Sequence, residues 1–386
     1  MLEDIRVLEL GGFVSSPLAG MILADLGAEV IKVEPPSGDE GRRLKPPEID
    51  GLSGYFFSLN RNKKSVVVDL KNPEGLDVFL DLVKSARVVI SNYRPSVLGR
   101  LGISPSKLVS SNPDLLVCVV SGYGLKGEWV DQPAFDATIL AQSGLMHLTG
   151  SPESEPSRFA TPIADITTAM MATIAILASL REGRRGIVEI PMLDTQLYLA
   201  LFEVYNYLLT GKDRDRMGSA HPNIVPYQAF KASDGYFYLA CGTDKQFQEV
   251  CEMLGATDLL VFDSNEKRVL NRKRIIDAFQ AAFAKNTVDH WVQELSRRGV
   301  PASPILRVSE ALSSPYVKTK GILSYAENLY SKREAPYIRF PVHTDKDKFE
   351  VRIPPPRLGE HTEEILRGLG YTQERISHLR ANRVII

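Results

Sequence analysis

The feature that most constrains the fold is a repeated alternation of short apolar runs with stretches of helical periodicity. The apolar runs have the length of β-strands and occur at residues 5–10, 29–33, 65–70, 88–91 and 115–120. Helical stretches at residues 17–26 and 73–86 separate two pairs of these runs. Strands that alternate with helices build a parallel sheet, because each helix carries the chain back to the edge where the next strand starts. The sequence therefore predicts an α/β fold with a doubly wound sheet.

The rest of the chain predicts more helix and a separate middle block. Helical patterns extend over residues 134–148, 162–181, 192–209, 245–298 and 360–369, and one further strand is predicted at residues 187–190. Residues 210–225 are rich in Gly, Asp, Arg, Pro and Asn, a composition typical of a linker. Beyond them, Asp234–Gly235 indicates a turn between two strands, and Gly299-Val300-Pro301 ends the helical block.

The charge balance excludes several classes of partner. The chain has 46 Lys and Arg against 47 Asp and Glu, which gives a formal net charge of −1. We therefore expect no nucleic-acid partner and no membrane-surface partner, since both favour a basic excess. The longest apolar stretch, Ala169–Leu180, is shorter than the roughly 20 residues that span a bilayer. An anionic ligand must then be held by local groups.

The cysteines and the start of the chain bear on the cellular compartment. Cys118, Cys241 and Cys251 lack the CxxC spacing of zinc ribbons and thioredoxin-like sites. An odd number of cysteines without a disulfide framework is typical of a reducing compartment. The first residues lead into a strand without a signal-peptide pattern. We expect a cytoplasmic protein, and the histidines show no metal-binding spacing.

The opening strand, glycine turn and helix invite comparison with a dinucleotide site. Such a site needs a G-x-G-x-x-G turn, in which bare backbone approaches the pyrophosphate. Here Gly11-Gly12 is followed by Phe13 and Val14, whose side chains stand where that loop would be bare. Only Glu34, at the end of the second strand, sits where a ribose-binding acid would be. An NAD-dependent oxidoreductase is therefore a disfavoured alternative to a βαβ unit that binds no dinucleotide.

A set of short motifs occurs in a fixed order along nearly the whole chain. The longest runs from Val7 to Asp39 and contains LADLGAEVIKVEPP. The later motifs, in chain order, are Asn60–Ser65, Asp69–Lys71, Asn92–Pro95, Leu101-Gly102, Ser121–Gly124, Gly299–Ala302 and Leu358–Thr362. In this order and spacing they resemble the class III CoA-transferases. This is the carnitine dehydratase/bile-acid-inducible F family, which includes formyl-CoA transferase and α-methylacyl-CoA racemase.

The resemblance implies a fold and an assembly. Members of the family have a Rossmann-like large domain built from both chain ends, a small α+β middle domain, and a homodimer whose two subunits interlock. Applied to this chain, it predicts a large domain over residues 1–198, a linker helix and loop over 199–224, a small domain over 225–325 and a return to the large domain over 326–386. It also implies coenzyme A and acyl-CoA as substrates, with no prosthetic group.

Asp165 matches the position of the family's nucleophilic aspartate. It lies at the start of a helical pattern, so the residue alone fits a helix N-cap equally well. The two roles are compatible, since the positive end of a helix favours an ionised carboxylate. The resemblance implies that Asp165 attacks a thioester to give a mixed anhydride and then an aspartyl-CoA thioester, before CoA passes to an acceptor acid. Because these intermediates hydrolyse, the site must exclude water.

Asp136 is a second candidate catalytic residue, because family transferases carry an acid at this position near the nucleophile. Its residue type leaves open whether it orients groups or caps a helix. The main alternative function is a racemase of the same family, which pairs a His with this acid to obtain two acid/base groups. Phe135 stands at the His position and carries no proton, which favours the transferase. Asp244 lies near a position where racemases have a glutamate, and it also fits a helix cap.

The resemblance places six side chains near coenzyme A. They are Lys71, Arg94 and Arg100 near the nucleotide, Val68 near the adenine, and Phe13 and Val14 near the pantetheine. Cationic side chains and backbone N–H groups are what binds phosphates in proteins. Pro35 and Pro133 depart from the pattern, because one type of relative has an arginine and a lysine there. Those two contacts do not carry over to this chain.

Two further parts of the site are less defined. We take the backbone N–H groups around His221-Pro222-Asn223 as candidate donors to the tetrahedral oxyanion. The sequence does not determine the acyl donor or the acceptor acid, because pocket shape decides both. A non-catalytic acyl-CoA-binding protein on the same fold is the third alternative function, and the retained Asp165 argues against it.

Overall fold

The computed structural model describes residues 1–327, 332, 334–343 and 350–386. Its strands are β1 Arg6–Leu10, β2 Glu29–Glu34, β3 Glu48–Ile49, β4 Leu52–Ser53, β5 Lys63–Val67, β6 Val88–Ser91, β7 Leu116–Ser121, β8 Gly186–Pro191, β9 Tyr227–Lys231, β10 Tyr236–Ala240, β11 Ala302–Pro304, β12 Leu323–Glu327 and β13 Glu334–Ile338. Its α-helices are α1 Ser15–Asp25, α2 Gly54–Leu59, α3 Pro73–Lys84, α4 Pro95–Arg100, α5 Pro105–Ser111, α6 Asp136–Gln142, α7 Leu145–Leu148, α8 Ile163–Arg181, α9 Met192–Leu199, α10 Leu201–Thr210, α11 Asp244–Leu254, α12 Asn265–Leu270, α13 Arg272–Phe283, α14 Val288–Arg297, α15 Val308–Ser313, α16 Pro315–Lys320, α17 Thr362–Gly368 and α18 Gln373–Ala381.

Parallel strands form one sheet in the order β5-β2-β1-β6-β7-β8. Nearly every residue of β1, β6 and β7 is buried, which explains their continuous apolar sequence, because a parallel sheet is covered on both faces. The chain builds β1, β2 and β5 toward one side and then crosses to the other side of β1 to form β6. Such a reversal opens a crevice at the carboxyl ends of the strands. The predicted α/β fold with a large parallel sheet is confirmed.

Helices from both ends of the chain cover the sheet. One core combines α3 with α17 and α18, for example through Phe79, Leu366 and Leu379. The other core, on the α1 and α8 side, includes Leu23 and Ala172. The compact unit around this sheet comprises Met1–Met146, Arg158–Lys212 and Lys320–Ile386.

A second compact unit comprises His147–Ser157 and Asp213–Thr319. It contains a three-stranded antiparallel sheet in the order β11-β10-β9, and the predicted turn at Asp234–Gly235 lies between β9 and β10. Aromatic side chains fill its core, and the ring of Phe283 lies 5.0 Å from the rings of both Phe230 and Phe237. The domain boundaries inferred from the sequence at residues 198, 224 and 325 stay predictions.

Two predicted helices are each divided into two. The pattern at residues 134–148 forms α6 and α7, and Gly144 between them has a φ of +82°. The pattern at residues 192–209 forms α9 and α10, which meet at Ala200 with a ψ of 20°. The apolar periodicity continues across both junctions although the backbone leaves the helical region there. The predicted third strand also shifts, from residues 65–70 to β5.

Helix α8 corrects the expectation that the apolar stretch is too short to span a bilayer. The helix has 19 residues and a mean hydropathy of 1.8, so by length and composition it is able to cross a membrane. Much of its apolar surface is used inside the protein, because Ala164, Ala169 and Ala172 are fully buried in the core shared with α1. One face of the helix is thus part of the core, and a helix that packs in this way is able to meet the same length and composition criteria.

Candidate active site

A cavity of about 350 Å³ lies at the carboxyl edge of the six-stranded sheet. Segments that follow four strands form its wall: Gly11–Phe13 after β1, Ser37–Glu40 after β2, Asn92–Pro95 after β6 and Gly122 after β7. Asp165, from the first turn of α8, lies on the same wall. Ligands of doubly wound sheets bind at this edge, next to the point where the strand order reverses.

The turn after β1 is glycine-rich because Asn92 packs against it. A Cβ on Gly11 would lie 1.8 Å from the Oδ1 of Asn92. That Oδ1 accepts a hydrogen bond from the N–H of Gly12 at 3.2 Å, while the Nδ2 donates to the Gly12 carbonyl at 2.8 Å and to the Oγ of Ser15 at 3.1 Å. The glycines therefore serve a contact between the loops that follow β1 and β6.

Two phenylalanines form an apolar part of the cavity wall. Phe13 has a φ of +59°, and its ring packs edge-on against Phe135 with the ring centroids 5.7 Å apart. In a racemase of this family, a histidine would stand in place of Phe135. The phenylalanine pair supplies apolar surface there and no acid or base.

Asp165 is a half-buried carboxylate on this wall. Burial and the neighbouring Asp136 carboxylate raise the pKa of Asp165 to about 7. The nearby side chain of Ser15 lowers the pKa and so opposes this rise. Near neutral pH the group therefore exists in both protonation states.

Asp136 is buried, and its carboxylate caps the helix that carries Asp165. Its Oδ2 accepts hydrogen bonds from the N–H groups of Ala164 at 2.7 Å and Asp165 at 3.4 Å. N–H groups in the first turn of a helix have no partner within the helix, so a carboxylate at this place stabilises the helix start. The sequence left open whether Asp136 orients groups or caps a helix. In the structure it caps α8 and thereby fixes the backbone at Asp165.

A buried ammonium group lies beneath the loops of the cavity. The Nζ of Lys32 lies 2.7 Å from Glu9, 2.8 Å from the Oδ2 of Asp39 and 3.1 Å from the carbonyl oxygen of Gly11. Burial alone would lower the pKa of Lys32, but the carboxylates of Glu9 and Asp39 outweigh this effect and raise it. The Oδ1 of Asp39 accepts hydrogen bonds from the N–H groups of Phe13 and Gly41 at 3.4 and 2.8 Å. Lys32 thus ties the loop after β1 to the loop after β2.

A second cavity, of about 520 Å³, lies next to the first. The two share wall residues, including Pro35, Ser37 and Tyr93, so they adjoin, and we refer to the two cavities together as the cleft. Lys71 and Arg100 both lie on the wall of the second cavity.

The structure distributes the side chains predicted near coenzyme A over this cleft. Phe13 and Arg94 lie on the first cavity, and Val68 lies on the second with Lys71 and Arg100. Val14 is instead buried, with 3% of its surface exposed, at the start of α1. Five of the six predicted positions are thus brought together along one cleft.

Other predicted positions lie in the second unit. The N–H of Asn223 donates to the Nδ1 of His221 at 3.1 Å, and the role of this loop as an oxyanion donor stays a prediction. Asp244 lies in the first turn of α11 and pairs with the buried Arg268 at 2.5 Å. Its ion pair gives Asp244 a structural role in that unit. Within the described residues, no group of three or more His, Cys, Asp or Glu side chains is placed to hold a metal ion.

Sequence reasoning missed several residues of the site. Ser15, Asp39 and Asn92 all follow strands of the parallel sheet, and their polar side chains meet at its carboxyl edge. The rule that ligands bind at this edge could have found them. Tyr55 carries no such signal, because it lies in α2. Burial, followed by the carboxylates of Asp165, Asp39 and Asp136, raises the pKa of Tyr55 to about 12.

Comparison with known proteins assigns the family. The family model described as CoA-transferase family III matches residues 2–362. The chain belongs to this family. The succinyl-CoA:glutarate CoA-transferase of Mus musculus is 35% identical over 100% of this chain and 90% of its own length. The succinate–glutarate CoA-transferase of Agrobacterium fabrum is 33% identical over 95% of each chain.

A solved structure agrees with this assignment. The crystal structure of a CAIB/BAIF family protein from Brucella suis has a TM-score of 0.84 and 33% sequence identity, and the match covers 95% of this chain and 98% of that one. The resemblance stated from the motifs is therefore confirmed, as is the class of enzyme that it implied. A family III CoA-transferase acts on CoA thioesters, so the Asp165 carboxylate and the cleft are the features of the structure that bear on its function.

The pKa of Asp165 predicts how its replacement changes stability. The pKa is raised in the folded state, so the buried carboxylate costs folding free energy as the pH rises from its unfolded pKa, near 4, through about 7. We expect Asp165→Asn to raise the free energy of unfolding relative to wild type, by about 2–3 kcal/mol more at pH 8.5 than at pH 5.

Urea unfolding at the two pH values measures this difference. Glu153→Gln, which removes an exposed carboxylate, serves as the matched control and should change stability equally at both. An effect of Asp165→Asn that does not depend on pH would contradict the raised pKa.

Proposed function

We propose that this protein transfers coenzyme A from an acyl-CoA donor to a free carboxylic acid, with Asp165 as the nucleophile. The observation that carries the proposal is a half-buried carboxylate on the wall of a cleft that continues to two cations, Lys71 and Arg100. This arrangement provides a reactive group for the thioester at one end and charge for the phosphates at the other.

The proposed reaction has two symmetrical halves. The carboxylate of Asp165 attacks the thioester carbon, the C–S bond breaks, and a mixed anhydride and CoA thiolate form. The thiolate then attacks the aspartyl carbonyl, which releases the donor acid and leaves an aspartyl-CoA thioester. The acceptor carboxylate attacks this thioester, the C–S bond breaks, and a second mixed anhydride and CoA thiolate form. The thiolate attacks the acceptor carbonyl of this anhydride, which gives the new acyl-CoA and releases the Asp165 carboxylate. Asp165 is regenerated as a carboxylate and no net proton is consumed.

Neighbouring groups adjust the nucleophile. The side chain of Ser15 supports the ionised form of Asp165, and the charge of Asp136 opposes it. A raised pKa makes the carboxylate a stronger base and nucleophile. It also means that the ionised fraction of Asp165 decreases when the pH is lowered below about 7. The N–H groups of Gly12 and Phe13 already donate hydrogen bonds to the side chains of Asn92 and Asp39, respectively. They are therefore engaged with the protein itself, and the oxyanion donors are to be sought elsewhere.

We further propose short dicarboxylic acids as the acyl groups. The curated relatives are named for succinyl-CoA with glutarate, D-citramalate or mesaconate, and one is named for acetyl-CoA with oxalate. Each named acceptor has two carboxylates. A preference for dicarboxylic acids requires a cation near Asp165 in addition to those that bind the phosphates.

The proposal includes a homodimer, as the family resemblance implies. Helix α10 exposes large apolar side chains, with Phe202, Leu208 and Leu209 at 86, 68 and 82% exposure. Met170 and Ile174 on α8 are exposed to 50 and 60%. Apolar surface of this extent is typical of an interface, because burial of such side chains stabilises an assembly. An interlocked second copy of the chain is the occupant that we propose, within a cytoplasmic enzyme.

The nucleophile is tested by Asp165→Ala, which removes the attacking oxygen. We expect transfer to fall by about 1,000-fold or more. Hydroxylamine added to the wild type with acyl-CoA should convert residue 165 to the hydroxamate, detected by peptide mass spectrometry. Glu153→Gln, at an exposed carboxylate outside the cleft, is the control and should keep wild-type activity. Full activity of the alanine variant would end the proposal.

The racemase alternative is tested by proton exchange. Because Phe135 supplies no acid or base, we expect a 2-methylacyl-CoA kept in deuterium oxide with the enzyme, and without an acceptor acid, to take up no deuterium at its α-carbon. Mass spectrometry of the recovered thioester gives the answer. Uptake at a rate comparable with CoA transfer would favour the racemase.

The assembly is tested with Phe202→Glu, which places a charge on the exposed apolar face of α10. We expect sedimentation velocity to show a dimer for the wild type and a dimer weakened by at least about tenfold for the variant, since an unpaired charge is costly to bury. Leu270→Glu, at an isolated exposed apolar residue of α12, is the control and should leave the dimer intact. A wild type that sediments as a monomer would contradict the proposal.

A further inference from the structure

Arg94 is the one Lys or Arg among the described residues that line the cavity of Asp165. Three carboxylates share this wall, namely Asp39, Glu40 and Asp165. Two of them have partners inside the protein, because Asp39 pairs with Lys32 at 2.8 Å and Glu40 pairs with Arg43. An anionic substrate that approaches Asp165 therefore meets Arg94 as the positive group of this cavity.

The guanidinium of Arg94 is available to a ligand. In the part of the chain that the structure describes, it makes no hydrogen bond or ion pair. The positive charges of Arg94 and Arg100 both lower the pKa of the exposed Asp131, whose carboxylate accepts a hydrogen bond from the N–H of Ser96 at 3.0 Å. Arginine presents its N–H groups in a planar fork that matches a carboxylate, so an unpaired guanidinium on a cavity wall suits a carboxylate ligand.

The backbone holds Arg94 in one place. Its φ of −57° and ψ of 148° are extended, as expected for a residue before proline. Its carbonyl oxygen accepts hydrogen bonds from Val97 and Leu98 at 2.9 and 3.1 Å, at the start of α4. The side chain therefore leaves from a fixed point at the carboxyl edge of the sheet, three residues beyond the end of β6.

The cations of the cleft are divided between its two cavities. Lys71 and Arg100 lie on the second cavity, whereas Arg94 lies on the cavity of Asp165. The family resemblance implied that all three lie near the nucleotide of coenzyme A. If Lys71 and Arg100 bind the phosphates at the second cavity, the acyl end of the bound thioester lies in the cavity that Arg94 lines.

We infer that Arg94 binds the distal carboxylate of a dicarboxylic acyl group in the cavity of Asp165 and so selects dicarboxylic over monocarboxylic substrates. This inference rests on the proposed function and assigns it a specificity residue. The distal carboxylate would otherwise be repelled by Asp165 and by Asp136 behind the same helix start. A guanidinium offsets this repulsion and forms charge-assisted hydrogen bonds, which a methyl group at the same place cannot form.

The test compares succinyl-CoA with butyryl-CoA, which have the same number of acyl carbons and the same CoA part. In a two-step exchange through an enzyme intermediate, kcat/KM for the donor reports the first half-reaction alone, so the acceptor does not affect the comparison. We expect Arg94→Gln to lower the ratio of kcat/KM for succinyl-CoA to that for butyryl-CoA by about 10- to 100-fold. Arg94→Lys should recover part of the ratio, because it restores the charge without the fork.

Arg100→Gln is the matched comparison. It removes a cation from the second cavity, so it should lower kcat/KM for both donors by the same factor and leave their ratio unchanged. If Arg94→Gln leaves the ratio of the two kcat/KM values unchanged, because both fall equally or neither falls, the inference is wrong. An equal fall would indicate that Arg94 contacts the CoA part of the substrate.

Failure of the proposed function is recognised separately. If the wild type releases no acid from either donor, CoA transfer is wrong for these substrates, and calorimetric titration then decides the role of Arg94 alone. Glutarate should bind the wild type at least tenfold more tightly than valerate, and this preference should disappear in Arg94→Gln. Equal affinity of the wild type for the two acids would overturn the inference.

Discussion

The candidate site depends on the buried ammonium group of Lys32. It touches Glu9, Asp39 and the carbonyl oxygen of Gly11, and none of the three charged side chains is more than marginally exposed. Buried charges are tolerated only when they are paired, so the ammonium group holds the two carboxylates close to it. That arrangement sets the distance between the loops after β1 and β2. The cavity wall is therefore a consequence of charge pairing beneath it.

Asp136 acts on Asp165 in two ways. Asp136 accepts hydrogen bonds from the N–H groups of Ala164 and Asp165, which stabilises the start of α8 and fixes the backbone of the proposed nucleophile. Its negative charge also raises the pKa of Asp165. One side chain thus supplies both position and electrostatic adjustment. The raised pKa is a cost to stability, and it fits the proposed role of Asp165, because a more basic carboxylate attacks a thioester more readily.

Local patterns predicted the regular parts of the chain well. Val88–Ser91 was predicted with its observed bounds, and α8 begins one residue later than its pattern, because apolar runs and helical periodicity are local properties. The missed elements are short or depend on distant contacts, as in α4 and the β12–β13 hairpin. In the site, Asp165 and Asp136 came from motif resemblance. Ser15, Asn92 and Asp39 were missed because their partners lie up to 80 residues away.

The sequence by itself determined the parallel α/β sheet, the family and the candidate nucleophile, since each follows from short local patterns and their order along the chain. The tertiary structure alone decided which side chains share a cavity. It placed Arg94 with Asp165, and Lys71 with Arg100, although Arg94 and Arg100 are neighbours in sequence. The physical reason is that the loops after β1, β2, β6 and β7 meet only when the strands align at one edge. The electrostatic environment of a carboxylate therefore depends on which loops come together at this edge.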